Sequence, residues 1–194
     1  MRHDLHIRGF AFGLRPITLE DAEFIIELRS DTQRSRFLHP VPLSVEAQTA
    51  YLKQYLAREN DYYFVIECQR DRSHEGLIGI YDIKLEGRTA EWGRWILRPG
   101  SLASVESALR IYEAAFDHLC IEQICTHTIV DNRSVVSFHE HCGLKQRAVR
   151  KGYYNFGGRS YDVVEQVLDR RDWPPVRQLL EAKARRIAQR VERE

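Results

Sequence analysis

The segment that begins at Asn132 places a histidine on the inner face of a predicted helix, and a titratable ring there could take part in catalysis. Val135, His139 and Cys142 are spaced i, i+4 and i+7, which puts them on one side of a helix. The Asn132 side chain can accept a hydrogen bond from a first-turn amide, and Gly143 can supply the left-handed residue that ends the helix. A histidine packed in the core for structural reasons alone is the competing interpretation.

A second chemical feature is the loop between a predicted strand and a predicted helix. The strand ends at Leu97, and an amphipathic helix begins at Ser104. A turn of this kind exposes backbone amides beside the positive end of a helix, which favours phosphate binding. The small residues Gly100, Ser101 and Ala103 would let the backbone come close to such an anion. Many similar turns bind nothing, so a purely connecting loop is the alternative.

The hydrophobic periodicity around these segments predicts a mixed α/β domain. The predicted strands are residues 14–17, 62–69, 76–83, 89–97 and 123–130, with a hairpin of 145–150 and 161–168. The predicted helices are residues 18–29, a helix capped by Ser44, residues 104–119, a helix between Asn132 and Gly143, and residues 176–193, whereas residues 31–43 are expected to form a loop. Polar turns within residues 62–97 predict an antiparallel meander, and Glu106 and Arg110 are predicted to face water.

The length and charge of the chain exclude several classes of function. With 194 residues, the chain is long enough for one domain with a hydrophobic core. Its 29 basic and 28 acidic residues give a net charge of +1, so no overall field attracts nucleic acid or an anionic membrane. The mean hydropathy is −0.45, and a membrane-spanning helix would need about 20 apolar residues. The first residues lack the apolar segment of a signal peptide, so we expect a cytoplasmic protein.

The cysteines and histidines predict no metal site. No two cysteines form a C-x-x-C pair, and free thiols are therefore expected. The four cysteines are Cys68, Cys120, Cys125 and Cys142. The most closely spaced histidines, His139 and His141, are two residues apart, so their side chains point in different directions on a helix.

Residues 174–194 are predicted to form a basic amphipathic helix that follows the main domain, residues 1–173. Leu180, Ala184 and Ile187 begin a 4-3-4 spacing that suits packing on the domain or on a partner helix. Three interpretations stay open for this helix: a solvated terminal helix, self-association into a homodimer, and a patch for nucleic acid or acidic lipid.

Short motifs follow one another in a definite order along residues 14–173. They are Leu14-Arg15-Pro16-Ile17-Thr18-Leu19-Glu20-Asp21-Ala22, Ala90-Glu91-Trp92-Gly93-Arg94-Trp95-Ile96-Leu97, Gly158-Arg159-Ser160-Tyr161-Asp162-Val163 and Asp172-Trp173. Between them, a strand, a phosphate-type loop, a helix and another strand are followed at once by the helix at Asn132. This succession resembles the GNAT superfamily of acyl-CoA-dependent N-acetyltransferases, in particular the branch with ribosomal-protein N-terminal and amino-sugar acetyltransferases.

The resemblance implies the acyl-CoA N-acyltransferase fold, an α/β domain whose largely antiparallel mixed sheet is flanked by helices. It also implies that two neighbouring parallel strands, residues 89–97 and 123–130, part to admit the pantetheine arm of the cosubstrate acetyl-CoA. The residues expected to bind acetyl-CoA are Ile96, Leu97, Arg98, Gly100, Ser101, Leu102, Ala103, Ser104 and Asn132. Ser101 stands where the family often has a glycine, which puts the phosphate loop in some question.

The resemblance further implies catalytic roles. Many relatives have a tyrosine seven residues after the asparagine that starts the helix, and His139 occupies this position. His139 is therefore the expected acid toward the departing thiolate, either as imidazolium or as a neutral hydrogen-bond donor. Some relatives have a glutamate base five residues before that asparagine, where this chain has His127. Glu91 on the facing strand is the competing base, and loss of the proton directly to water is the third option.

The acceptor is expected to be the primary amine of a small molecule. The residues expected to contact it are Arg34, Arg36, His39 and Tyr154. Positive charge on this side, to which Arg150 and Lys151 would add, favours an acceptor that carries phosphate, such as a nucleotide-linked amino sugar. A protein N-terminus is the alternative acceptor, and a non-catalytic CoA-binding sensor is the alternative to an enzyme.

Overall fold

Seven strands form one mixed sheet with helices on both faces in the computed structural model, which describes residues 3–193. The predicted domain limits also include Met1, Arg2 and Glu194, which lie outside the described residues. The strands are β1 (Phe12–Pro16), β2 (Tyr62–Cys68), β3 (His74–Lys84), β4 (Thr89–Leu97), β5 (Gln123–Ile129), β6 (Lys145–Phe156) and β7 (Arg159–Asp169). The helices are α1 (Ala22–Ser30), α2 (Thr32–Ser35), α3 (Val45–Tyr55), α4 (Ser104–Glu113), α5 (Arg133–His141) and α6 (Trp173–Val191).

The sheet has the spatial order β1-β2-β3-β4-β5-β7-β6. The pair β4–β5 is parallel and the other neighbouring pairs are antiparallel, which confirms the predicted fold class. Both faces of the sheet are buried at β2, whereas the outer strand β6 is largely exposed. In β2, Phe64 and Ile66 belong to the core that contains α4 and α6, whereas Tyr63 and Val65 belong to the core that contains α1 and α3. Because a strand alternates its side chains, this nearly continuous apolar run fills both cores.

Strands β4 and β5 are paired over three residues each and then part, as the family resemblance implies. Their parallel ladder joins residues 89–91 to residues 123–125. Beyond it, β4 continues along β3 as far as Leu97, and β5 continues along β7 as far as Ile129. A bulge in β4 lies between Gly93 and Ile96, and Arg94 within it has a φ of 52°. Because a bulge bends its strand, it increases the separation of β4 from β5.

Helix α4 begins at Ser104 as predicted, but the prediction that Glu106 and Arg110 face water is wrong. The exposed fraction of Glu106 is 0% and that of Arg110 is 5%. The chain just before β1 crosses this helix, and the amides of Ala11 and Phe12 each donate to the Glu106 carboxylate at 3.0 Å. Helical periodicity could not show this burial, because the covering segment is about 95 residues away in sequence.

Three other predicted elements differ in extent. The predicted helix 104–119 is α-helical only to Glu113 and continues as the π-helical turn Ala114–His118. The predicted loop 31–43 contains the short helix α2, whose first amides are capped by the Asp31 side chain. The hairpin β6–β7 is longer than predicted, and its turn consists of Gly157 and Gly158, both with positive φ.

The C-terminal helix α6 packs on α4 of the same chain. Leu180, Ala184 and Ala188 are buried in the core that also contains α4. Arg177 pairs with Glu113 at 3.2 Å and so ties the two helices together at their surface. The predicted apolar stripe therefore contacts its own domain, and the homodimer stays a prediction. None of the described helices combines the length and apolar character needed to cross a membrane.

Candidate active site

A cleft of about 860 Å³ lies where β4 and β5 part, and its size is typical of sites for small ligands. Its walls come from β4, β5, the start of α5, the segment that follows α1, and the β6 side of the hairpin. The predicted site residues that line this cleft are Arg34, Arg36, His39, Glu91, Ile96, Leu97, His127, Asn132, His139 and Tyr154. The fold therefore brings the predicted catalytic and acceptor residues into one space.

The predicted phosphate loop lies outside this lining, at the start of α4. Its residues are Arg98, Gly100, Ser101, Leu102, Ala103 and Ser104. Two of its amides already have partners, since Ser101 N donates to Arg98 O and Ala103 N donates to Ser101 Oγ, each at 3.2 Å. Gly100 has a φ of 79°, a conformation that favours glycine. The serine that departs from the family pattern thus stabilises the turn, and phosphate binding there stays a prediction.

Asn132 starts α5, but its side chain does not cap the helix, so this part of the prediction is wrong. Its backbone carbonyl accepts hydrogen bonds from Val135 N and Val136 N, both at 3.1 Å. Its Oδ1 accepts a hydrogen bond from Ser134 Oγ at 3.3 Å. Gly143 follows the helix with a φ of 94°, as expected of the residue that ends it. Because Asn132 lines the cleft and does not cap the helix, its amide can contact a ligand there.

The two residues that compete as predicted bases form one hydrogen-bonded pair. His127 Nδ1 lies 2.7 Å from Glu91 Oε2, and both side chains are less than 10% exposed. The hydroxyl of Tyr81 donates to the other carboxylate oxygen at 3.0 Å, and that of Tyr154 donates to it at 3.5 Å. Burial, reinforced by the nearby carboxylate, raises the pKa of both tyrosines, so they remain neutral donors. The ring of Tyr153 stacks on the imidazole at 4.4 Å.

This arrangement suits a general base. A neutral His127 that donates its Nδ1 hydrogen to Glu91 keeps a lone pair on Nε2. The carboxylate holds that tautomer and stabilises the imidazolium that forms when Nε2 accepts a proton. Sequence reasoning found both residues but treated them as alternatives, because they are 36 residues apart and only the β4–β5 ladder brings them together.

His139 lies on the other face of β5. Its Nδ1 is 3.3 Å from Thr126 Oγ1 and 3.3 Å from Thr128 Oγ1, and its ring is 4.8 Å from that of Trp92. Burial lowers the pKa of His139 to about 4; the side-chain amide of Gln166 opposes this shift, and burial outweighs it. Its Nε2 is buried without a hydrogen-bond partner among the described residues. His139 is therefore neutral near pH 7.

Two buried polar atoms, Nε2 of His139 and Oε1 of Gln166, have no hydrogen-bond partner among the described residues, and the influence of Gln166 on the pKa of His139 shows that these side chains are neighbours. When the two threonine hydroxyls donate to Nδ1, the ring carries its hydrogen on Nε2. A buried donor with no acceptor costs about 1–3 kcal/mol, which a suitable ligand would recover. The sulfur of a thioester fits, since an N–H group stabilises the negative charge that develops on it as the bond breaks. Of the two predicted forms of His139, the neutral donor is the one that the burial of its ring supports.

The gap between the strands makes groups from both faces of the sheet available to one ligand. On β5, His127 faces Glu91, whereas its neighbours Thr126 and Thr128 face His139 on the opposite side. A continuous ladder would separate these two sets of groups. Because β4 and β5 part just beyond Glu91, both sets line the same cleft. A base and a donor can therefore act on opposite sides of one reacting carbonyl carbon.

Arg29 is a cleft residue that the sequence analysis did not single out. It lies in the last turn of α1 and lines the acceptor side of the cleft. Its guanidinium donates to the backbone carbonyl of His39, and its Nε is buried with no partner among the described residues. Burial lowers its pKa, and no carboxylate within residues 3–193 forms an ion pair with it. A basic residue in the last turn of a helix is common, so the sequence carried no sign of this role.

The other predicted acceptor residues have varied surroundings. Arg34 is largely exposed and pairs with Asp31 at 3.1 Å. Arg36 lies over the ring of Phe37 at 4.6 Å. The ring of His39 contacts that of Tyr154 edge-on at 4.9 Å, which joins the segment after α1 to the hairpin. Among these contacts, the His39–Tyr154 contact joins two walls of the cleft, and Tyr154 in turn reaches Glu91.

Arg150 and Lys151 do not contribute to the cleft, so their predicted part in its positive charge is wrong. Arg150 pairs with Glu165, and Lys151 pairs with Asp162 at 2.6 Å. Both side chains lie on the exposed outer strand of the sheet, where these acidic residues of the neighbouring strand β7 hold them.

The fold and this cleft define an acetyl-CoA-dependent N-acetyltransferase, and sequence comparison agrees. Residues 12–145 match the profile described as the acetyltransferase (GNAT) domain. The chain belongs to the GNAT acetyltransferase family, whose members use acetyl-CoA. No curated protein sequence matches the chain significantly.

Solved structures with the same fold have different substrates. FdhC, a nucleotide-linked sugar GNAT, is 26% identical with a TM-score of 0.76, over 94% of this chain and 98% of that one. Spermidine N-acetyltransferase from Vibrio cholerae, in complex with CoA and spermine, is 21% identical with a TM-score of 0.75, over 84% of this chain and 98% of that one. The resemblance to the family is thereby confirmed, whereas the predicted branch within it stays a prediction.

Proposed function

We propose that this enzyme acetylates the primary amine of a small acceptor that also carries phosphate, such as a nucleotide-linked amino sugar. The observation that carries the proposal is the half-buried guanidinium of Arg29, which lies on the acceptor side of the cleft and has no carboxylate partner among the described residues. A buried cation is costly without an anion beside it, and phosphate matches the planar donors of arginine. FdhC, the nucleotide-linked sugar GNAT with the same fold, supports this choice.

The charge of the cleft distinguishes this acceptor from a polyamine. Four arginines line it, at positions 29, 34, 36 and 94, against the two carboxylates of Asp82 and Glu91. Arg34 pairs with Asp31 at 3.1 Å and Arg94 pairs with Asp61 at 2.6 Å, so Arg29 and Arg36 are the lining arginines without a carboxylate partner among the described residues. Glu91 already accepts hydrogen bonds from Tyr81 and His127. The guanidinium groups of Arg29 and Arg36 would attract a diphosphate more strongly than a polyamine, which carries several positive charges. The similarity to the spermidine enzyme is below 25% identity and supports the fold alone.

In the proposed reaction, His127 Nε2 accepts a proton from the acceptor amine while Glu91 holds the Nδ1 hydrogen. The amine nitrogen forms a bond to the thioester carbonyl carbon, and the carbon–sulfur bond breaks. The Nε2 hydrogen of His139 donates to the departing thiolate, which then takes up a proton from solvent. Asn132 and the parted edges of β4 and β5 would hold the pantetheine arm, and the exposed start of α4 would hold the diphosphate.

The acceptor class can be tested by thiol release with a panel of amines. We expect turnover with a nucleotide-linked amino sugar to exceed that with spermidine or with an N-terminal peptide. Arg29→Gln should raise KM for the phosphate-bearing acceptor by about 10–100-fold, because a hydrogen bond to a charged group contributes about 1.5–3 kcal/mol. The matched control is Arg186→Gln, on the exposed face of α6. Preference for spermidine, or an unchanged KM in the Arg29 variant, would contradict the proposal.

The role of His139 predicts a loss of turnover without a loss of cosubstrate affinity. His139→Phe should lower kcat by about 10²–10³-fold, as removal of a transition-state donor does, while the Kd of acetyl-CoA stays near its original value. Because the pKa of His139 is about 4, its donor role should add no ionisation to the rate profile between pH 6 and 8. His141→Phe, an exposed change on the same helix, is the control. Full turnover in the His139 variant would show that this residue packs in the core and has no part in catalysis.

A further inference from the structure

Three side chains with metal-binding atoms meet at the point where β4 and β5 separate. One donor atom from each of Glu91, Cys125 and His127 lies within 4.8 Å of the other two. Glu91 and Cys125 are direct partners in the parallel ladder, and His127 follows Cys125 on the same face of β5. The sequence analysis predicted no metal site because the two strands are far apart in sequence. The fold brings these three residues together, although their spacing in the sequence does not predict it.

We infer that these three side chains form a binding site for Zn²⁺, with its remaining coordination position open to the cleft. A thiolate, an imidazole nitrogen and a carboxylate oxygen are the donor types that zinc binds in proteins, and three protein ligands with one open position is a recurring arrangement. With zinc bonds of about 2.0–2.3 Å, tetrahedral ligand atoms lie roughly 3.3–3.7 Å apart. The Glu91 Oε2–His127 Nδ1 separation is 2.7 Å, and the three donor atoms all lie within 4.8 Å of one another, so small side-chain rotations would bring them to this spacing.

Neighbouring side chains hold the metal-binding side chains in place. The hydroxyl of Tyr81 donates to Glu91 Oε1 and leaves Oε2 for the metal. The stacked ring of Tyr153 restricts rotation of the His127 imidazole. Partners of this kind orient the ligands of a metal and strengthen its binding. Cys125 is half-buried and in no disulfide. Burial and the Glu91 carboxylate raise the pKa of its thiol to about 12, so the metal must displace the thiol proton when it binds.

Zinc at this site would stop acetyl transfer. It would take up the carboxylate and the imidazole that form the proposed base, so that the amine could no longer lose its proton to His127. Zinc binding and turnover therefore exclude each other, and removal of the metal restores activity. The inhibition rests on the proposed function, whereas the binding of the metal does not.

Metal binding is tested on the full chain without an affinity tag, after treatment with a chelator. Zn²⁺ is titrated by calorimetry, and Co²⁺ is used as a spectroscopic probe of thiolate ligation. We expect one site, a thiolate-to-cobalt charge-transfer band, and loss of both in Cys125→Ser, with an affinity decrease of at least ~10–100-fold. The matched control is Cys120→Ser, because Cys120 is an exposed free thiol outside the cluster. Equal binding by the Cys125 variant and the original chain would overturn the site.

An activity measurement tests inhibition by zinc separately from the binding of zinc. Zn²⁺ should abolish thiol release by the original chain, a chelator should restore it, and Cys125→Ser should resist inhibition at the same concentration. Zinc bound through Cys125 without inhibition would overturn the claim that the metal takes up the Glu91 and His127 side chains of the base. Metal binding through Cys125 would still stand. Should no amine in the panel be acetylated, the proposed function fails, and the calorimetric and cobalt results still decide the metal site.

Discussion

Glu91→Gln should lower kcat by about 10²–10⁴-fold, the range that a positioned general base contributes. Glutamine keeps the size of the side chain but removes the charge that stabilises the imidazolium of His127. It can also turn an amide donor toward Nδ1 and so select the wrong tautomer of the ring. Acetyl-CoA affinity should change little, since the pair lies on the acceptor side of the gap. Steady-state kinetics with a saturating acceptor, together with calorimetry, measure the two effects.

Glu165→Gln is a matched control for this prediction. Glu165 is 5% exposed, close to the 6% of Glu91, and it is the ladder partner of His127 on β7. Its carboxylate accepts from Arg150 and does not line the cleft. We expect the control to retain most of its turnover. A similar loss in both variants would show that buried charge on these strands, and not the base, determines the rate.

Comparison with His127→Gln tests whether the two residues act as one base. Groups that act as a unit are strongly non-additive, so the double variant should be about as slow as the slower single variant. Multiplied losses would mean that Glu91 and His127 act independently. The pair would then be two competing bases, as the sequence alone leaves them, and the 2.7 Å contact between them would have a structural role only.

The fold was predictable because its elements are local and strongly patterned. The bounds of β4 match the predicted residues 89–97, and Ser44 caps α3 by accepting from Ala47 N, as predicted. The parting of β4 from β5 followed from the family resemblance, and the three-residue ladder confirms it. The prediction failed where the structure depends on distant contacts, as in the crossing of α4 by the chain before β1. It also missed the short helix α2 within a predicted loop, although the Asp31 cap of this helix is local.

The sequence predicted which residues form the site, but it did not predict the contacts between them. His127, Glu91 and His139 were each found from their position in a motif, but the pairing of the first two is a property of the sheet. The protonation of His139 depends on its burial against Trp92 and the β5 threonines, which no spacing reveals. The sequence did not point to Arg29 either. What distinguishes this residue is that its guanidinium has no carboxylate partner among the described residues, and sequence spacing does not reveal this.

The arrangement of the cleft weakens the alternative of a non-catalytic CoA-binding sensor. That interpretation depended on the altered phosphate loop and on the histidine in place of the family's tyrosine. In the structure, Ser101 stabilises the loop through its own hydroxyl, and His139 offers a donor in the gap. A sensor would have no need of a Glu91–His127 pair on the opposite side of the same cleft. Both departures are therefore compatible with an active enzyme.

The largest effect on stability is expected at Glu106, the residue for which periodicity was most misleading. Its carboxylate has no exposed surface and accepts from the amides of Phe10, Ala11 and Phe12 and from Arg110 Nη2. Glu106→Ala would leave these donors unsatisfied and the Arg110 charge with less compensation. Removal of one member of a buried pair costs about 3–5 kcal/mol. In a chain of this length the melting temperature should therefore fall by roughly 6–20 °C.

Glu113→Ala provides the comparison for that loss, because it removes the same charge from the same helix. Glu113 also pairs with Arg110, at 2.7 Å, and with Arg177, at 3.2 Å, but its side chain is 17% exposed and accepts no backbone amide in the described hydrogen bonds. Each pair nearer the surface contributes about 0–1 kcal/mol, so Tm should fall by only a few degrees. Equal losses in the two variants, measured by calorimetric or circular-dichroism melts, would show that Glu106 acts only through its ion pair. The attachment of the chain before β1 to α4 would then not depend on this carboxylate.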